Sequence, residues 1–316
     1  MIGGATDDPK DVMTATAPDP EAQLDAPSHQ RTRRRRSRLP DAPPGRHSTL
    51  PDGSTTFVRL GGSSTGVPTL LLHGLGATSA LNFAACFPAL EQLGPVIAPD
   101  HRGHGRGARI GRRFRLEQCA DDAAAILRSL DSPPVIAVGY SMGGPIAQLL
   151  ARRHPDLVAG LVLSATARDF RGAPADRLRF GALGAIAPAA HLASPLRLLP
   201  TPVLPGPLRR VSWAISELSR HESPAIIAAA RALGRYTSRE WISDLAVPAA
   251  VIVHTDDDVV PTRRQRKLAA ALPQASTVEV HGDHLAVAND PDRYVPALLR
   301  AHRSVARRIS DVTIAA

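Results

Sequence analysis

The sequence predicts an α/β fold, a mostly parallel, doubly wound sheet interrupted by a helical insertion. Short apolar runs at 68–72, 95–100, 135–138, 157–164 and 247–254 are each bounded by Gly, Pro or Asp, as buried strands are. Stretches with helical spacing separate them, at 82–93, 116–130, 145–153 and 263–272. Strands that are apolar on both faces need cover on both faces, and helices between them supply it. Between 168 and 245 this rhythm breaks: no strong strand is seen, and Pro195, Pro200, Pro202, Pro205 and Pro207 joint a run of helical pieces. That segment is expected to sit as a cap over the C-terminal edge of the sheet.

Taken in order, residues 1–48 form a Pro-rich, low-complexity arm with Arg31, Arg33, Arg34, Arg35, Arg36 and Arg38 close together. Its sparse apolar content predicts disorder, or order only on contact. The chain carries a formal charge of +9, and without these six arginines about +3 is left, ordinary for a soluble enzyme. The arm is read either as a solvated tail or as a contact to an anionic membrane or nucleic acid. No aromatic is interleaved for base stacking. The first part of the core is expected over 49–167, opening with a turn at 51–54 and a strand at 55–60. The cap follows at 168–245. The second part of the core, 246–316, adds the strand at 247–254, a helix, a strand at 277–280 and a C-terminal helix.

Residues 1–25 lack an apolar stretch of the kind a secretory signal needs. No run of 18 uncharged apolar residues predicts a membrane span. Two cysteines, Cys86 and Cys119, make neither a disulfide framework nor a metal-ligand cluster, and both are read as core residues. A cytoplasmic location is the expectation, with no metal and no cofactor.

The chemistry centres on Gly139-Tyr140-Ser141-Met142-Gly143, set between the strand at 135–138 and the helix at 145–153. Strand, sharp turn and helix form the context in which a G-x-S-x-G serine projects its hydroxyl above a sheet. A serine hydroxyl is a poor nucleophile near neutral pH. It needs an imidazole to take its proton and a carboxylate to hold that imidazole in one tautomer. An Asp cluster, Asp256, Asp257 and Asp258, follows a later strand, and His281 and His284 follow the last one. His101 and His104 are read as loop residues, since no carboxylate or cysteine is spaced to complete a metal site with them. Gly103-x-Gly105-x-x-Ala108 matches a dinucleotide fingerprint only loosely, in a loop crowded with arginines.

His73-Gly74-Leu75-Gly76, Asp100-His101-Arg102-Gly103-His104-Gly105, Gly139 to Gly144, Asp257-Asp258-Val259-Val260-Pro261 and Gly282-Asp283-His284 together resemble the α/β-hydrolase superfamily, in its lipase/esterase-like branch with a helical cap. The resemblance spans about 50–305. It implies that Ser141 is the nucleophile, His284 the general base and Asp257 the acid, with the backbone N–H groups of Leu75 and Met142 as oxyanion hole and His73 organising the oxyanion loop. It further implies a cofactor-independent serine hydrolase acting on a carboxylic ester, with an apolar acyl group as the expected substrate of the Leu/Ala/Pro-rich cap. The same triad also serves lactonases, C–C hydrolases, acyltransferases and perhydrolases. A reading from another class is an inactive hydrolase-like module tethered by its Arg-rich arm. The oligomeric state is not legible.

Overall fold

The computed structural model describes Met1 and residues 42–111, 113–172 and 206–315. Its strands are β1 (Gly45–Thr49), β2 (Thr55–Gly61), β3 (Thr69–Leu72), β4 (Val96–Pro99), β5 (Val135–Tyr140), β6 (Val158–Ser164), β7 (Ala249–His254) and β8 (Ser276–Val280). They form one sheet in the order β1-β2-β4-β3-β5-β6-β7-β8, antiparallel at β1, β2 and β4 and parallel from β4 to β8. The chain winds from β3 outward to β4, then returns to place β5 on the other side of β3. The crevice beyond the C-terminal ends of β3 and β5 is therefore the switch point where ligands of such sheets bind.

Helices cover both faces, because neighbouring residues of a strand point to opposite sides. On one face Leu70, Leu72, Val135, Ala137, Leu161, Leu163, Val251 and Val253 pack under α3 (Leu116–Ser129) and α4 (Gly143–Arg153). On the other, Leu71, Ile136, Val138, Val162, Ala250 and Ile252 meet Phe83, Phe87 and Leu90 of α1 (Ser79–Phe83) and α2 (Phe87–Leu90), and Tyr294, Leu298 and Val305 of the C-terminal helix. The doubly wound parallel sheet read from the sequence is what forms.

Two boundaries differ from expectation. Order begins before residue 49: Gly45–Thr49 is an edge strand paired with Thr55–Gly61 through a turn at Leu50–Ser54. Its sequence, Gly-Arg-His-Ser-Thr, has no apolar alternation, so backbone pairing rather than burial holds it. The single helix expected over 82–93 is two short ones. Thr78 caps the first through its hydroxyl, and Pro88, which has no N–H, starts the second instead of continuing the first. The disorder and the anionic contacts expected of the arm fall on residues 2–41, outside the described residues.

Of the segment read as a cap, residues 168–172 and 206–245 are described. They include α5 (Gly206–Leu218) and α6 (Ser223–Leu233). α7 (Thr262–Ala269), α8 (Ala286–Asn289) and α9 (Pro291–Ala315) complete the chain. Among the described residues no helix is long and apolar enough to cross a membrane.

Buried histidines are expected to make this fold acid-sensitive. His302 of α9 shares a 2.8 Å hydrogen bond with Thr69 of β3, and burial lowers its pKa to about 4. The unfolded chain then binds a proton near pH 6.5 that the folded chain refuses until pH 4. Stability from this group is full above pH 6.5 and is lost as the pH falls towards 4, by about 1.4 kcal/mol per pH unit. Burial pushes His73, His101, His104 and His254 in the same direction. Melting temperature measured against pH should drop steeply below 6.5, and His302→Gln should flatten that slope by one histidine's share.

Candidate active site

Ser141 follows β5 directly and has φ 51°, a left-handed conformation that a residue with a Cβ rarely adopts. Three contacts hold it there. Its N–H donates to the Ser164 carbonyl (3.0 Å), and its own carbonyl accepts from the Gly144 N–H (2.9 Å) and the Thr166 hydroxyl (2.8 Å). The turn closes so tightly only because its neighbours lack side chains. A Cβ on Gly139 would overlap the backbone of Gly143, and one on Gly143 would overlap the Leu72 carbonyl of β3. Since that obstacle is backbone, Gly143→Ala should destabilise the fold by about 3 kcal/mol, read as an early denaturant midpoint.

β7 ends at His254, and the loop that follows turns Asp257 inward while Asp256 and Asp258 stay exposed. Beyond β8, His284 is turned inward and His281 is exposed, with its Nδ1 3.2 Å from the Thr255 hydroxyl. His284 Nε2 lies 2.9 Å from Ser141 Oγ, and His284 Nδ1 lies 2.8 Å from Asp257 Oδ2. The structure thus brings Ser141, Asp257 and His284 together from three loops at one sheet edge, all within 6% exposure. Asp257 Oδ1 also accepts the N–H groups of Val259 (2.9 Å) and Val260 (2.7 Å). In the tautomer that suits this carboxylate, His284 donates its Nδ1–H to Asp257 Oδ2. That leaves the Nε2 lone pair facing the serine O–H.

Several supporting residues have no signal in sequence. Gln265 of α7 donates to Asp257 Oδ2 (3.0 Å) and the Val260 carbonyl (2.7 Å) and accepts the His254 N–H (2.9 Å), tying the acid's loop to β7. It reads there only as one polar residue of an Arg-rich helix. Tyr140, the variable residue before the serine, donates its hydroxyl to the His284 carbonyl (2.6 Å). Behind it, Tyr294 O–H donates to Ser164 Oγ (3.2 Å), Ser164 Oγ meets His254 Nε2 (3.1 Å), and His254 Nδ1 donates to the Asp283 carbonyl (2.9 Å). The loop bearing His284 is therefore anchored to the interior of the sheet and to α9.

The opposite wall is the loop after β3. A Cβ built on Gly74 would come within 3.3 Å of Ser141 Cβ, so this loop passes directly beside the serine. The Gly74 N–H is held by Asn82 Oδ1 (2.8 Å). The N–H groups of Leu75 and Met142 have no hydrogen-bond partner among the described residues. His73 donates Nδ1–H to the Gly74 carbonyl (2.8 Å) and accepts the His101 N–H at Nε2 (2.9 Å), which joins the loops after β3 and β4. Burial lowers the His73 pKa against the pull of Asp100, and burial with the neighbouring imidazoles holds His101 and His104 well below the usual range. Among the described residues no three metal-ligating side chains converge.

The cap segment reaches the same wall. His221 accepts the Gly105 N–H at Nδ1 (2.8 Å) and donates from Nε2 to the Gly76 carbonyl (3.1 Å), while Glu217 accepts from Thr78 Oγ1 (3.1 Å) and Arg106 (3.1 Å). Both cysteines are free and fully buried, and burial pushes the Cys86 thiol up to about 12 and Cys119 higher still, which disfavours the thiolate form.

Comparison with known proteins places this geometry in a family. The chain is 29% identical over 253 residues to the magnesium-chelatase 30 kDa subunit of Rhodobacter capsulatus, covering 71% of this chain and 82% of that one. It is 34% identical over 205 residues to the pimeloyl-[acyl-carrier protein] methyl ester esterase of Neisseria meningitidis, covering 61% and 76%. Among solved structures, a thermophilic esterase from Thermogutta terrifontis superposes with a TM-score of 0.64 at 25% identity, over 83% of this chain and 99% of the other. The family model for the alpha/beta hydrolase fold matches residues 67–291, and the chain belongs to that family.

Proposed function

We propose that this alpha/beta hydrolase is a serine hydrolase that cleaves carboxylic esters through an acyl-enzyme. In this reading Ser141 is the nucleophile, His284 the general base and Asp257 the acid, with the N–H groups of Leu75 and Met142 as oxyanion hole. The observation that carries the proposal is the unbroken relay Asp257–His284–Ser141, ending on a serine held in a left-handed turn. Ser141 Oγ attacks the ester carbonyl carbon as its proton passes to His284 Nε2, and the carbonyl electron pair moves onto oxygen. When that pair returns, the alkoxide leaves and takes the proton from His284. Water then gives a proton to His284 and attacks the acyl group, which releases the acid and restores the serine. Asp257 stays ionised throughout and stabilises the imidazolium. Each oxyanion donor is expected to contribute about 3 kcal/mol.

Ester cleavage is supported by the relative named as a methyl ester esterase. The chelatase subunit shows that relatives of comparable identity carry other names, so the triad geometry bears most of the weight. An apolar acyl group is supported by Leu285, 49% exposed beside His284, and by Ile227 and Val211 exposed on the cap helices. The two unpaired, buried cysteines support a cytoplasmic home. The test is a fluorophosphonate label combined with a panel of aryl esters of increasing acyl length. A single label on the Ser141 peptide with hydrolysis of at least one ester is expected; no label, or a label elsewhere, removes the reading.

A further inference from the structure

Past the C-terminal end of β6, a pocket of about 200 Å³ opens between residues 167–171, Arg239 and the first turns of α7. None of Ser141, Asp257 and His284 lines it. Its ionisable lining is six cations, Arg168, Arg171, Arg239, Arg263, Arg264 and Lys267, against one carboxylate, Asp169. That carboxylate is already engaged: it takes both Arg171 Nε (3.1 Å) and Nη2 (3.3 Å), with Arg239 Nη1 at 3.6 Å. Arg168, Arg263 and Lys267 have no ion pair among the described residues. Glu240 acts on Arg171 but does not line the pocket. The segment 173–205 brings one further acid, Asp176, against Arg177, Arg179 and Arg197, so its composition does not balance the charge.

Folding gathers these cations against their own repulsion. One of them, Arg263, stands in the first turn of α7, where the helix dipole disfavours positive charge and the turn itself holds no acidic residue. Arg264 is already engaged and donates from Nη1 to the Asp169 carbonyl (3.2 Å). A small, concave site lined by guanidinium forks and one ammonium suits a compact anion of more than one charge. A single carboxylate would leave most of the cations unmatched. Extended nucleic acid is a poorer fit, because the lining is concave and holds no aromatic for stacking.

We propose that this pocket binds a phosphate group. Titration calorimetry of the full chain with inorganic phosphate, at constant ionic strength balanced with chloride, tests it. Arg263 and Lys267 are exposed and touch none of the catalytic relay, so Arg263→Gln/Lys267→Gln should fold normally. Wild type is expected to bind phosphate saturably, the double variant roughly tenfold more weakly, and Ser141→Ala as tightly as wild type. The last arm separates this proposal from the catalytic one. No saturable binding, equal affinity in the double variant, or binding of a DNA duplex without binding of phosphate overturns it. The source follows from two aryl esters, one neutral and one ending its acyl chain in a phosphate monoester. A kcat/KM preference for the phosphorylated ester that the double variant loses assigns the pocket to the substrate. Equal kcat/KM for both, with phosphate binding intact, assigns it to a separate phosphate-bearing molecule.

Discussion

Ser141→Ala should lower kcat/KM for an aryl ester by roughly a million-fold, to the residue of catalysis that binding and oxyanion donors supply alone. The argument is geometric. Ser141 Oγ is the atom of the elbow that faces His284 Nε2, at 2.9 Å, so without it the imidazole has nothing to deprotonate except water. Alanine keeps the Cβ that the left-handed turn already accommodates, and the backbone bonds to Ser164 and Gly144 do not involve the side chain. The variant should therefore melt within a few degrees of wild type. Measuring rate and melting temperature together distinguishes a lost nucleophile from a lost fold. A variant hydrolysing within tenfold of wild type would end the serine hydrolase reading.

Asp257→Asn should lower kcat by roughly ten-thousand-fold with little change in KM. The isosteric amide still accepts the N–H groups of Val259 and Val260 through its oxygen, which fixes its orientation. Its NH2 group then faces His284 Nδ1, which must become the acceptor, so the ring proton moves to Nε2 and points at the serine. A base in that tautomer cannot accept the serine proton. Asp256→Asn and Asp258→Asn, at exposed positions, should each stay within about twofold of wild type. Kinetics on the three variants assign the acid, and an undiminished kcat in Asp257→Asn would remove residue 257 from that role.

The parts of this molecule legible in sequence are those whose signal is local. Strands β3 to β7 are apolar apart from Thr69, Ser164 and His254 at their ends, and the serine elbow is a fixed pattern between a strand and a helix. Asp257 and His284 could be nominated because chain order constrains them and the family resemblance singles them out, and of the three aspartates and two histidines they are the ones buried. What lay hidden depends on partners distant along the chain. β1 is defined by pairing alone, Gln265 by bonds to residues 5 to 11 positions away, and His221 by contacts to Gly76 and Gly105 more than 100 residues earlier. The cationic pocket joins residues near 170, 239 and 265 that no linear motif connects.

The bond chain from Tyr294 through Ser164 and His254 to the Asp283 carbonyl gives the loop bearing His284 its footing in the protein's interior. Tyr140 adds a second mooring from beneath, at the His284 carbonyl. The cap segment reaches the machinery on the other wall, at Gly76 and Thr78. Under the proposed function, proton transfer is thus held from the core, while the segment expected to select the substrate is held at the loop after β3. Grafting a foreign roof between residues 168 and 245 is then a feasible route to new specificity, provided the graft still grips the two loops that His221 and Glu217 now clasp.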